Sequence, residues 1–149
     1  MRPLRTGETI PMGSTIDTRK GRVELTSLSS AGGAPQKAQF YDGLFRVTQS
    51  GAYTELTLTE KLARCSTRAR AAQSKKPKAR RLWGDGKGKF RTKGQYAAAT
   101  VRGTKWLVQD GCRFTRTRVT QGVVSVRDDV RKRTITLRKG KTYTARPRG

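Results

Sequence analysis

The sequence predicts an all-β protein, a compact roll or sandwich of two similar halves, and three observations point to it. Apolar residues recur at every second position in short runs such as RVELT, TELTL and TITLR, the two-residue period of a strand with one buried face. Gly, Asp and Pro punctuate those runs at intervals typical of turns between short strands. Two segments can also be superposed: GLFRV at 43–47 with LTL at 56–58, and GVVSV at 122–126 with ITL at 135–137, have the same internal spacing. One strand unit is therefore expected twice, the copies packing as halves of one core.

At 149 residues the chain is long enough for one domain with a core and short for two. A single domain is expected over 1–149, with one half at about 8–62, a basic loop at about 64–81 and a second half at about 82–147. Hydrophobic residues make up 33% of the chain, well below the roughly 45–50% of ordinary globular proteins. A thin core and a wet surface follow.

The organising stretch is GQYAAATVRGTKWLVQDGC, from Gly94 to Cys112. Its β-branched and aromatic residues describe a buried strand pair, and the switch of apolar parity between Val101 and Trp106 requires an inserted residue, a bulge at Gly103. Before it, residues 14–18 and 21–27 read as a hairpin turning at Thr18 to Gly21. LSSAGGAPQK at 28–37 reads as a surface loop. Phe40 and Tyr41 precede an Asp42-Gly43 hairpin turn, the strongest short hairpin signal available, and Leu56 and Leu58 then share one strand face. LWGDGKGKF reads as another tight hairpin, anchored by Trp83 and Phe90; its glycines do not lead into the Ser or Thr and helix of a phosphate loop. After Cys112, strands at 115–119, 123–126 and 134–137 are joined by turns at Asp110-Gly111, Gln121-Gly122, Asp128 to Lys132 and Gly140, and a last strand runs through Tyr143.

Charge is the strongest global signal, with 34 Lys and Arg against 10 Asp and Glu giving a formal net of +24. Such a field attracts polyanions, whether nucleic acid, wall polymer, acidic glycan or anionic lipid, or it only keeps the chain soluble. RCSTRARAAQSKKPKARR, from Arg64 to Arg81, carries positive charge without an apolar stripe to bury. It is either a polyanion contact or a solvated insertion. Candidate contacts there are Arg68, Arg70, Lys75, Lys76, Lys78, Arg80 and Arg81, joined by Arg116 and Arg118 on one strand face and by Arg131 and Arg133 further on. Trp83, Trp106, Tyr96 and Tyr143 are assigned mostly to the core, so stacking of bases is not expected.

The two cysteines, Cys65 and Cys112, form no CxxC pair, and the chain has no His, which leaves the usual zinc sets incomplete. A Cys65–Cys112 disulfide in an oxidising compartment is the simplest use, two unrelated buried thiols the other. No apolar run approaches the roughly 20 residues of a membrane-spanning helix. MRPLRTGETIPMG lacks the apolar core of a signal peptide, so an exported chain is expected to be part of a longer secreted protein.

Catalytic chemistry finds little support in these residues. Serine or threonine nucleophiles lack the His that most often activates them, although a Ser–Lys pair is left open. Asp128 and Asp129, as neighbours on a strand end, point to opposite faces. Calcium would want a cluster of acids, whereas Asp85 stands among lysines. Neither enzyme activity nor a cofactor is expected.

IPMGSTIDTRKGRVELTS, FYDGLFRVTQ, LWGDGKGKFRTKGQYAAATVRGTKWLVQDGC, VTQGVVSVRD and TITLRKGKTYTARP together resemble the FecR-like modules of secreted, multi-domain actinobacterial proteins, over nearly the whole chain. The resemblance implies an exported all-β roll of two similar halves, often appended to other extracellular domains. It transfers no catalytic residue; the cytoplasmic anti-sigma segment and membrane span of the founding FecR proteins are not represented in these motifs. The expected function is a non-enzymatic extracellular or cell-surface structural or interaction module with a strongly cationic surface, binding anionic surface polymer or a partner protein, including other domains of a longer secreted protein. Two alternatives stay open: nucleic-acid binding through non-specific phosphate contacts, and a subunit of a β-rich surface assembly or filament.

Overall fold

The computed structural model describes residues 10–27, 36–51, 53–62 and 79–147. Among them are eleven strands in one sheet and no helix, so the all-β expectation holds. The strands are β1 (Thr15–Asp17), β2 (Arg22–Ser27), β3 (Gln36–Tyr41), β4 (Leu44–Ser50), β5 (Tyr53–Leu58) and β6 (Arg80–Gly86), followed by β7 (Phe90–Lys93), β8 (Ala97–Gly111), β9 (Phe114–Asp128), β10 (Arg133–Arg138) and β11 (Thr142–Ala145).

Two strands of fifteen residues, β8 and β9, form the antiparallel ribbon around which the others gather. The first part of β8 pairs with β7, while its last part pairs with β6. β9 does the same on the other side, taking β11 near its start and β10 near its end. The ribbon thus carries two arms. A seven-strand arm runs β1-β4-β5-β7-β8-β9-β10 and a six-strand arm runs β2-β3-β6-β8-β9-β11, with β8 and β9 shared. The register of β8 against β9 shifts between Val101 and Thr104, where the sequence demanded a bulge. A bulge adds local twist and bends the strand, and it lies where the arms diverge.

The sheet is curled and open, and its arms face one another across the core. Phe40 of the six-strand arm lies 6.1 Å from Phe45 and 5.5 Å from Phe90 of the seven-strand arm, ring centre to ring centre. Trp106 Nε1 donates to Thr92 Oγ1 across the same gap at 3.0 Å. Leu56, Leu82, Val108, Val119, Val124 and Val126 are fully buried around these rings. Every one of them alternates along its strand with an outward residue, which is why a chain with few apolar residues can still close a core.

Several expected hairpins are absent. β1 pairs with β4 and β2 with β3, so Thr18 to Gly21 and Asp42-Gly43 are corners at which the chain crosses between arms. The two corners lock together: Thr18 donates its amide and its hydroxyl to the Gly43 carbonyl at 2.7 and 2.8 Å. The Gly86 to Lys89 segment likewise carries the chain from β6 to β7, which pair with β8 and not with each other. Gly122, at φ +84°, lies within the single strand β9, and the Gly140 turn joins β10 to β11 along one side of it. The stretch from Gly94 to Cys112, expected as a strand pair, is mostly one long strand, reversing at Cys112 and Arg113. Each of these departures has the same cause. A local turn signal fixes a change of direction, but the partner of each strand is chosen by burial in the whole sheet.

The two superposable segments do form antiparallel pairs in matching register. Phe45 faces Leu58 and Val47 faces Leu56, as Val124 faces Leu137 and Val126 faces Ile135.

Candidate cationic face

The outer surface of the six-strand arm gathers the charged residues that the inward-facing apolar positions leave over. Directly opposed residues in adjacent strands present their side chains on the same face. One row across this arm reads Arg22, Tyr41, Trp83, Leu107, Arg118, Thr142. A second reads Arg81, Gln109, Arg116, Thr144. Lys105 stands beside the first row, opposite Asp85. Arg81, distant in sequence, therefore shares one face with Arg116 and Arg118.

Trp83 differs from expectation. It projects outward with Arg81 and Asp85, because Leu82 and Gly84 take the inward positions of β6. Its ring stacks on Tyr41 at 6.2 Å and 9° between planes. The Arg22 guanidinium sits 4.3 Å from the centre of the Tyr41 ring, and Lys105 Nζ lies 5.7 Å from Trp83 and 6.0 Å from Tyr41. Cations are held over aromatic faces by the ring quadrupole. The ring pair so fixes the positions of Arg22 and Lys105, and mutual stacking occupies faces that a base would need. The parity of RRLWGDG carried this information: Trp83 shares it with two charged residues.

The remaining predicted contacts are dispersed. Arg80 donates to the buried Asp110 carboxylate at 2.9 Å and to the Glu60 carbonyl at 2.9 Å, so it is bound into the fold. Asp110 also accepts from the Gln95 amide and the Thr115 hydroxyl, tying the end of β8 to the turn before its start. Arg131 and Arg133 sit at the β9–β10 turn. Arg131 lies 3.6 Å from Asp128 and donates to the Arg146 carbonyl, while Arg133 reaches the Tyr143 hydroxyl at 3.4 Å. Arg68, Arg70, Lys75, Lys76 and Lys78 lie outside the described residues, as does Cys65, the expected partner of Cys112.

Asp128 is buried, and burial pushes its carboxyl pKa upward. That push is outweighed by hydrogen bonds from the Tyr143 hydroxyl and the Arg131 and Val130 amides, and by the Arg131 charge, so the group lies below the ordinary carboxylate value. Asp17, held by hydrogen bonds from the Arg19 side chain and amide, is lowered to about 2. Both aspartates are bound to neighbouring turns and neither faces Arg116 or Arg118.

The face offers fixed N–H donors and positive charge, the chemistry of ionic contact with an anion. Among the described residues no helix is long and apolar enough to cross a membrane, and no three His, Cys, Asp or Glu side chains cluster as metal ligands. Fold and face together define the class: an all-β protein with a cationic outer sheet surface. No protein-family model matches the chain, and no characterised protein matches it significantly.

Proposed function

We propose that the chain is a non-enzymatic extracellular module of the FecR-like type, a roll of two similar halves closed by a Cys65–Cys112 disulfide, which binds an anionic surface polymer. The observation that carries the reading is the convergence of Arg81, Arg116 and Arg118 with Arg22 and Lys105 on one open face. Phosphate, sulfate and carboxylate groups are all acceptable there, since the contacts are charge-assisted and the rings are already stacked. Titration against sulfated, phosphorylated and carboxylated polymers across a salt series tests it. Each released counterion steepens the fall of affinity with salt, so Arg116→Ala and Arg118→Ala should each weaken binding and flatten that slope. No binding to any of these polymers at low salt would end the proposal.

A second reading, a subunit of a β-rich assembly, is supported by the outer edges of β1, β2, β10 and β11, which pair with no further strand among the described residues. Unpaired edges can add strands from neighbours. Light scattering over a range of concentrations, in high salt to screen the net charge, separates a persistent monomer from an assembling one.

A further inference from the structure

The outer face of the seven-strand arm carries a feature that diffuse charge does not require. Three consecutive alanines, Ala97, Ala98 and Ala99, open β8 in the middle of a sheet, where alanine is a poor strand former and β-branched residues are favoured. Ala97 and Ala99 face the core, opposite Asp128 and Val126. Ala98 faces the other way, between Lys93 and Arg127, and is nearly covered at 9% exposure without joining the core cluster. It forms the floor of an open trough of about 380 Å³, continued by Thr100 and Ser125.

The walls are cationic. One row across the arm reads Lys93, Ala98, Arg127, Thr134, and the next reads Arg91, Thr100, Ser125, Thr136. With strands roughly 4.8 Å apart, Lys93 and Arg127 rise from backbones about 10 Å apart with only a methyl group between them. That gap accommodates one tetrahedral oxyanion. Arg91 is partly committed, lying 3.4 Å from Glu55 and donating to Thr100 Oγ1 at 3.2 Å. Arg127 donates weakly to Thr134 Oγ1 at 3.4 Å. Among the described residues neither Lys93 nor Arg127 has a carboxylate within ion-pair distance.

We propose that this trough is a subsite for a sulfate or phosphate ester carried on a sugar. Lys93 and Arg127 grip the oxyanion from either side, and the Thr100 and Ser125 hydroxyls donate from the floor. Glu55 and Asp129, at the rim, would repel a second anionic group but accept hydrogen bonds from sugar hydroxyls. The balance favours one charge on a hydroxyl-rich carrier over an evenly charged backbone. The inference rests on the anionic-polymer reading and sharpens it, moving the selective contact to the arm opposite Arg116 and Arg118.

The test separates shape from charge at a single position. Ala98→Leu fills the trough at constant charge; Ala98→Lys fills it and adds a cation. Both substitutions are made on the outer face of the sheet at a position only 9% exposed, so thermal melts first establish that each variant is folded. Binding is measured by calorimetry to a sulfated oligosaccharide, a sugar-phosphate oligomer, a carboxylated oligosaccharide and a single-stranded DNA oligonucleotide. The expected result is that both variants lose about tenfold for the sulfated and sugar-phosphate probes, with little change for the other two. The two ester arms also tell which oxyanion is preferred. If Ala98→Leu binds like the parent chain, or Ala98→Lys binds the ester probes more tightly, the trough is no subsite, while the Arg116 and Arg118 face is left standing. Equal losses for DNA and ester sugars would likewise overturn the sugar-ester assignment. Failure of the parent chain to bind any probe removes both readings together.

Discussion

Gly84 shows how much one atom decides in a thin core. It lies between Phe40 on β3 and Trp106 on β8, and a Cβ there would overlap the indole. The missing side chain is what allows Phe40 and Trp106 to meet edge to face at 6.1 Å. Gly84→Ala should cost about 1–3 kcal/mol through overpacking, measured by denaturant unfolding, with a change in Trp106 fluorescence if the Thr92 hydrogen bond is disturbed. Tyr143 makes a comparable contribution through polarity, donating to Asp128 Oδ2 at 2.6 Å. Because the folded pKa of Asp128 lies below its ordinary 3.8, the unfolded chain binds more protons in acid. The associated stability is complete above that ordinary value and is lost as pH falls through the folded one. Asp17 acts in the same direction but is partly exposed, which weakens its share. Tyr143→Phe should lower stability at pH 7 by about 1–3 kcal/mol. Its difference from the parent chain should shrink as pH falls below that ordinary value and through the folded one, as followed by unfolding curves at each pH.

At the level of elements, what could be read in the sequence was direction and face, and what could not was partnership. The alternation in RVELT, TELTL and VVSV marked inward residues correctly, and the parity switch before Trp106 located the shift in β8. Asp42-Gly43 carried a strong hairpin signal because both residues accept turn geometry, and Asp42 indeed adopts φ +64°. Yet β3 and β4 do not pair: Phe40 and Phe45 face each other from opposite arms, both fully buried, and burial of such rings is the larger driving force. A two-residue turn specifies a corner as readily as a hairpin when the flanking strands find partners elsewhere. The left-handed backbone at Asp42 gives a direct test. Asp42→Gly should be neutral or slightly stabilising, whereas Asp42→Val should cost about 1–2 kcal/mol, read from denaturant midpoints. A β-hairpin there would place the same demand on position 42, but only a corner makes Thr18→Val equally damaging, because the Thr18 hydroxyl, in the corner between β1 and β2, donates to the Gly43 carbonyl and accepts from the Gly43 amide.

For the whole molecule, the charge of +24 showed that anions would be attracted but not where. Spacing along the chain put Arg116 and Arg118 on one strand face, but Arg81 joins them only once β6, β8 and β9 lie side by side, and the Ala98 trough needs β7, β8 and β9 in register. The proposed disulfide operates at this same scale. Cys112 lies at the tip of the β8–β9 ribbon, so a bridge to Cys65 would fasten the basic segment to the end of the six-strand arm. In the chain-entropy account such a closure stabilises by on the order of 4 kcal/mol, a large fraction of the stability of a domain with so little apolar residue. Intact mass with and without thiol alkylation determines whether the bridge forms under oxidising conditions. If it does, the reduced protein and the Cys65→Ser, Cys112→Ser double variant should unfold at the same, lower denaturant concentration, well below the oxidised parent. If oxidised and reduced chains unfold together, the core and the two buried aspartates hold the fold without help from sulfur, and the argument for an oxidising compartment loses its physical basis.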